Sequence, residues 1–255
     1  KKPDMQNVSH LKISMILGYA VIVVAAVAFV SMLAVRKTDT VLKNKVSSMV
    51  SSLNVQMKLN MNSYLSRMET IGTLAFAAEE AYTYDATNPD NDEYEALNTE
   101  KIISDKLYSL CIMENFVDYG IVYRNNHTVG KISNGTVSML GGNLFSELES
   151  IVSRQRTKDG WAAGFQDNFK RVYYVKQIHE NALLVISFYA TELESVFDNP
   201  ETLNGMDVRL VNQNYDIIYS SANGEVGLPL VPEIMERVQN QGSATVIDNQ
   251  YVVSV

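Results

Sequence analysis

From Ile13 to Val35 the chain reads ISMILGYAVIVVAAVAFVSMLAV, 23 residues without a charge. At about 1.5 Å per residue, a helix of that length crosses a hydrocarbon core of about 30 Å with some tilt. Core helices of soluble proteins seldom stay uniformly apolar beyond about 14 residues. A cleaved signal peptide has an apolar core of about 7–15 residues that ends in a small-x-small site. This run is longer and passes straight into a helical pattern, so it reads as a retained membrane anchor. Lys1, Lys2 and Lys12 flank one end and Arg36, Lys37, Lys43 and Lys45 the other, so charge alone does not set the orientation.

Past the anchor, apolar residues recur at Leu42, Val46, Met49, Leu53, Met57, Met61, Tyr64, Met68, Ile71 and Ala75. The steps of three and four make one stripe along a helix. No proline or glycine breaks it before Gly72. Anchor and stalk are therefore expected to form one helix of roughly seventy residues, on the order of 100 Å long. The stripe is rich in Met, Ser and Asn, which makes a soft, adaptable seam. Its far end is expected to pack on the chain's own globular part, and its membrane-near half to pair with a second copy as a homodimer.

The rest can build a core: of 255 residues, 46% are hydrophobic and 20% charged. A net charge of −8 opposes nucleic-acid binding, which needs a basic face. Cys111, the single cysteine, can form neither an internal disulfide nor a Cys-rich zinc site, and fits as a buried thiol. Residues 82–99, acidic, Asn-rich and carrying Pro89, read as an exposed loop. Helical spacing follows over Glu100–Ile112, then strands at Phe116–Tyr123 and near His127–Ile132, and a turn at Asn134-Gly135. Asn143 is placed to cap a helix to about Gln155. Strands follow at Trp161–Phe165, Phe169–Ile178 and Ala182–Tyr189, with a short helix to Phe197. The order then begins again: a hairpin over Met206–Ser220, a helix opened by Pro232, and a hairpin from Ser243 to Val255. The sequence opens without Met, and Tyr251–Val255 stops where another strand is due, so a longer parent chain is expected.

Twice over, the order is two strands, a helix and an antiparallel meander. With the uncleaved anchor and long helix before it, this resembles the double Cache sensors, the extracytoplasmic halves of bacterial receptors. The local texture agrees at Gly160–Ile178, at ALLVISFY and at Thr191–Phe197. The resemblance implies an α+β protein with two PAS-like (Cache) modules on antiparallel sheets, the second truncated. The expected division is 1–12 a cytoplasmic tail, 13–35 the transmembrane helix, 36–81 the stalk, 82–200 the membrane-distal sensing module and 201–255 the membrane-proximal module. It also implies an extracytoplasmic globular part in the cell membrane, a second transmembrane helix after Val255 and a cytoplasmic output domain. That domain is expected to be a diguanylate cyclase first, then a histidine kinase or a chemotaxis signalling domain. The amino-acid-binding branch of that family uses an Arg-x-Trp-Tyr pattern. Here Trp161 is followed by alanine, with no arginine two places before it.

No catalytic constellation stands out. His10, His127 and His179 are scattered without metal-ligand spacing, and Gly141-Gly142 lacks the Gly-Lys-Ser/Thr of a phosphate loop. Neither a catalytic group, a metal nor a cofactor is expected. Recognition of a small polar ligand by an aromatic box with one or two charges fits better. The candidates are Trp161, Tyr123, Tyr173, Arg124, Tyr119 and Asp198, with Trp161 foremost because it opens a strand after a Lys-Asp-Gly turn. Alternation places Tyr119 and Tyr123 on one face of their strand. The ligand is expected to be an amino acid, amine, carboxylate or purine, with the lipid bilayer as the other partner. A membrane-anchored protein-interaction module without a small ligand is the alternative.

Overall fold

The helical pattern at the N-terminus carries through without a break: α1 runs Met5–Leu74 as a single helix of 70 residues. The computed structural model describes residues 5–74, 79–153, 155–165, 168–196, 207–212, 214–222, 224–241, 245–247 and 252–254. The chain divides into two units, residues 1–54 with 243–255, and residues 55–242.

In the first unit every side chain from Ser14 to Val46 is exposed, the apolar run Met15–Val35 included. Among the described residues, α1 is the one helix long and apolar enough to cross a membrane. The same unit holds a short antiparallel hairpin of β8 (Thr245–Ile247) and β9 (Val252–Ser254), with Val246 opposite Val253.

The second unit begins with the last turns of α1, where the apolar stripe finds its cover. Met61, Met68 and Ile71 are buried, as is Gly72. Two helices follow, α2 (Glu79–Thr83) and α3 (Glu93–Cys111). The expected loop over residues 82–99 is shorter than its composition suggested, because α3 starts at Glu93 rather than Glu100. Asp92 is the reason: its carboxylate accepts the backbone N–H groups of Tyr94 and Glu95, and Glu93 and Glu95 place negative charge at the positive end of the helix.

Five strands make the sheet: β1 (Phe116–Tyr123), β2 (Thr128–Lys131), β3 (Asp159–Phe165), β4 (Asn168–His179) and β5 (Ala182–Tyr189). They lie in the order β2-β1-β5-β4-β3, every pair antiparallel. Between β2 and β3 run α4 (Asn134–Leu140), a 3-10 turn at Gly141–Asn143 and α5 (Leu144–Val152). Asn134-Gly135, expected as a turn, instead opens α4. Asn143 precedes α5 without a side-chain capping bond.

Both faces of the sheet are covered, which is why β5 is buried from Ala182 to Phe188. One face carries Ile121, Tyr123, Tyr174, Ile186 and Phe188 against α1 and the α3 residues Ile103, Leu107 and Cys111. The other carries Val122, Tyr173, Val175, Leu183 and Val185 against Leu144, Phe145, Leu148 and Val152 of α5. Each large side chain removed from water contributes about 1.5–3 kcal/mol, so the two layers together hold the sheet between the helices.

After β5 come α6 (Glu192–Val196), the hairpin β6 (Arg209–Val211) with β7 (Ile217–Ser220), and α7 (Pro232–Gln241). The second run of two strands, helix and hairpin thus exists in sequence order. The hairpins β6–β7 and β8–β9 are separate two-stranded sheets.

Candidate functional site

Strand parity sends the aromatic candidates to different faces. Tyr119, Tyr123 and Trp161 belong to the layer under α1 and α3, whereas Tyr173 belongs to the layer under α5. Trp161 packs on Tyr174, ring centroids 4.9 Å apart, and its indole N–H lies 3.5 Å from Oε1 of Glu69 on α1. Tyr119 takes the Lys131 ammonium over its ring at 5.4 Å. Tyr123 is fully buried among the rings of Tyr84, His127 and His179, and its hydroxyl has no hydrogen-bond partner among the described residues. Burial, with the nearby Tyr84 and Glu100, pushes that hydroxyl well above the usual tyrosine range.

Arg124, at the turn after β1, is committed to protein acceptors. It donates to Asn181 Oδ1 at 3.0 Å, to the Glu180 carbonyl at 2.9 Å and to Glu149 at 3.1 Å, and lies over the Phe145 ring. It therefore clamps two strand turns to α5. Asp198 lies outside the described residues. The five sequence candidates within the described residues are not gathered into one site.

On the α5 side the structure assembles a different group, of which only Tyr173 was singled out from sequence. The register sets Asp118 of β1 opposite Ser187 of β5, and Ser187 opposite Tyr173 of β4. Asp118 is completely buried, as are Ser187 and Thr136. Its Oδ1 accepts the Ser133 backbone N–H at 2.6 Å, and its Oδ2 accepts the Thr136 hydroxyl at 2.7 Å and the Ser187 hydroxyl. Arg171, two residues before Tyr173 and so on the same face, donates through Nη1 to Ser133 Oγ and Thr136 Oγ1, both at 2.8 Å. The same nitrogen lies 3.5 Å from Asp118 Oδ2. The Tyr173 hydroxyl completes the group 3.2 Å from Thr136 Oγ1.

A buried carboxylate is tolerable only when its lone pairs are filled and its charge is balanced, and here both conditions hold. The group ties the start of α4 to the middle of the sheet. Opposite Tyr173 and Val175, β3 contributes only Ala162 and Gly160. Among the described residues no set of three His, Cys, Asp or Glu is placed to hold a metal ion.

One sequence signal for this group existed: a lone Asp in FVDYGIVY and a lone Ser in ALLVISFY, polar residues at the inward parity of otherwise apolar strands. Ser133 and Thr136 gave no such signal, since they sit in a segment whose helical state was not foreseen.

No protein-family model matches the chain, and no curated protein matches it. Among solved structures, it is similar to the sensor domain of the histidine kinase DctB of V. cholerae. The likeness has a TM-score of 0.35 at 13% identity and covers 72% of this chain and 76% of that one.

Proposed function

We propose that the chain is the anchor and extracytoplasmic sensor region of a membrane-bound bacterial signalling receptor. One observation supports this above others. The last turns of the membrane-length helix α1 pack on one face of the five-stranded sheet, while the opposite face holds the buried Asp118–Arg171 group. A small molecule that prefers one seating of the sheet on α1 biases the helix, and the bias is limited to its differential affinity for the two states. In this reading residues 13–35 span the membrane, 36–81 form the stalk, 82–200 the sensing module and 201–255 the start of a second Cache module. Leu42, Val46 and Met49, exposed along the stripe, form the seam with a second copy. The output domain is a diguanylate cyclase, ahead of a histidine kinase or a chemotaxis signalling domain.

The test is ligand-dependent stability. The whole chain in lipid nanodiscs is melted with amino acids, amines, carboxylates and purines, and a true ligand raises the melting point through RT ln(1 + [L]/Kd). If no compound moves it, direct sensing fails. The protein-interaction alternative then gains, resting on the exposed Tyr94, Leu97, Tyr108 and Met113 of α3 and the turn beyond it.

A further inference from the structure

We infer that the turn between β4 and β5 is a pH-sensitive latch, closed while His179 is neutral and opened when its imidazole takes up a proton. The inference stands on the geometry of the turn and holds whether or not the chain is a receptor.

The hydrogen bonds of His179 fix its protonation state. Its Nδ1 stands 3.2 Å from the backbone nitrogen of Asn181, and a backbone N–H only donates, so Nδ1 is the acceptor. Its Nε2 stands 3.2 Å from the Tyr84 carbonyl oxygen, which only accepts, so Nε2 carries the hydrogen. One acceptor and one donor describe the neutral ring in a single tautomer, whereas the imidazolium has two donors and no acceptor. Protonation therefore sets a ring N–H against the Asn181 N–H, and the bond that closes the turn is lost. Histidine is the side chain that ordinarily changes charge between about pH 5 and pH 8. His179 is half-buried at the end of β4, so solvent protons reach it.

Asn181 is the hub that this bond steadies. It donates through Nδ2 to Asp85 Oδ2 at 2.8 Å and to Thr87 Oγ1 at 3.3 Å. Its Oδ1 accepts from Arg124 Nε at 3.0 Å, and its backbone carbonyl accepts the Arg124 N–H at 2.9 Å. Arg124 reaches on to Glu149 of α5. One turn thus joins the loop between α2 and α3, on one side of the sheet, to α5 on the other.

The charged groups around the ring favour proton uptake. Asp85 is within electrostatic reach of His179, and its carboxylate attracts the imidazolium in competition with Asn181. The helix α2, which packs against β4, adds Glu79 and Glu80 in its first turn, and Glu180 follows His179 directly. The nearby cation, Arg124, is committed to Asn181, Glu149 and the Glu180 carbonyl. From β1, Tyr123 presents its ring at 6.3 Å. His127 responds to acid in the opposite sense. Its Nε2 stands 2.8 Å from Glu100 Oε1 of α3, which also accepts the Tyr84 hydroxyl at 2.6 Å, so a proton there tightens the contact. Acid therefore opens the turn while Glu100 still holds Tyr84.

Hydrogen exchange of the whole chain in nanodiscs tests this at about pH 8 and about pH 5, with each rate corrected for the intrinsic pH dependence of exchange. The Asn181 and Arg124 amides should exchange faster at the lower pH on the order of 10-fold, the weight of one hydrogen bond, while Val185 and Ile186 in the middle of β5 keep their protection. In His179→Asn the side-chain oxygen accepts the Asn181 N–H in an Asx-turn and does not titrate, so the turn should stay protected at both pH values. His127→Gln should keep the native response. Equal corrected rates in the native chain would overturn the latch, as would a response that His127→Gln abolishes or one that spreads through β5. If His179→Asn does not fold, the nitrogen resonances of His179 in the native chain decide: the Nε2–H tautomer at about pH 8 is expected, and the Nδ1–H tautomer or a ring already charged there would overturn the inference.

Discussion

Replacing Asp118 by alanine should be among the most destabilising single changes in the molecule. The carboxylate has no exposed surface, and it holds three donors of unequal freedom. The Ser133 N–H is backbone and cannot turn away, so it is left orphaned at about 1–3 kcal/mol. The buried Ser187 hydroxyl loses its partner at a similar cost. Thr136 is protected, because its oxygen keeps Arg171 Nη1 at 2.8 Å and the Tyr173 hydroxyl at 3.2 Å. Arg171 loses its counter-charge, but its side chain is 14% exposed, which limits that loss. Summed, the change costs about 3–5 kcal/mol, the range found when one partner of a buried pair is removed.

The molecule carries its own reporter. Trp161 is the single tryptophan and sits on β3, so its fluorescence follows unfolding of the sheet unit. For a unit of that size about 1 kcal/mol moves the melting point by roughly 2–4 °C, so Asp118→Ala should lower it by about 10 °C. Alkylation of the buried Cys111, the single thiol, gives an independent measure of opening. Ser187→Ala should cost only about 1 kcal/mol. Asp118→Ala combined with Arg171→Met should cost less than the sum of the two, because each removes the other's uncompensated charge. A loss below about 1 kcal/mol for Asp118→Ala, or strict additivity in the double variant, would refute the account of this group as one coupled unit.

Alkaline titration should separate buried from exposed tyrosines. Burial first, then Glu192 and Glu114, pushes Tyr64 up to about 12, and burial pushes Tyr84, Tyr123 and Tyr174 higher still. A raised folded value means stability that is whole below the ordinary value of 10.0 and is lost as pH climbs above it, so unfolding should begin there with a burst of tyrosinate absorbance. In acid the case is reversed for Asp85. Burial pushes it up, but hydrogen bonds from Thr87 and Asn181 outweigh that and hold it below its ordinary 3.8. Its contribution is present above that value and lost as pH falls, so the part of the Asn181→Ala defect that runs through Asp85 should fade in acid denaturation curves. Gly130 has φ +96 and a Cβ there would stand 2.7 Å from the Tyr119 carbonyl, so Gly130→Ala should cost about 1–3 kcal/mol in chemical denaturation.

Strands and the long helix were legible because their signal is local. The apolar stripe from Leu42 to Ile71 needs no knowledge of what covers it, and Phe116–Tyr123 and Ala182–Tyr189 are bounded by turn residues on both sides. The start of α3 was not legible, since Asn and Asp suit a loop and a helix cap equally, and only the geometry of Asp92 decides. The candidate site was hidden for a different reason. Alternation fixes which residues share a face but not which face meets which helix. Tyr119, Tyr123 and Trp161 look like ligand aromatics until α1 and α3 are seen to occupy their side of the sheet. Asp118 and Arg171 are remote in sequence, and only the β1-β5-β4 register brings them together.

The same alternation makes β4 the shortest physical link between the two layers. Tyr173 and Tyr174 are neighbours in sequence and point to opposite faces. Tyr173 belongs to the Asp118–Arg171 group through Thr136. Tyr174 packs on Trp161 with the rings tilted, donates to Asp159 at 3.1 Å, and sets its ring edge where a Cβ on Gly72 of α1 would stand 3.0 Å away. The missing side chain at Gly72 lets the helix lie directly on that ring. A glycine inside a helix costs about 1 kcal/mol relative to alanine, and the close seating of helix on ring is what that cost secures. Packed interiors respond to small displacements by switching between discrete arrangements rather than by stretching. In the receptor reading proposed above, a change in how Arg171 and Tyr173 are held would reach α1 across one residue of one strand, where Gly72 meets the Tyr174 ring.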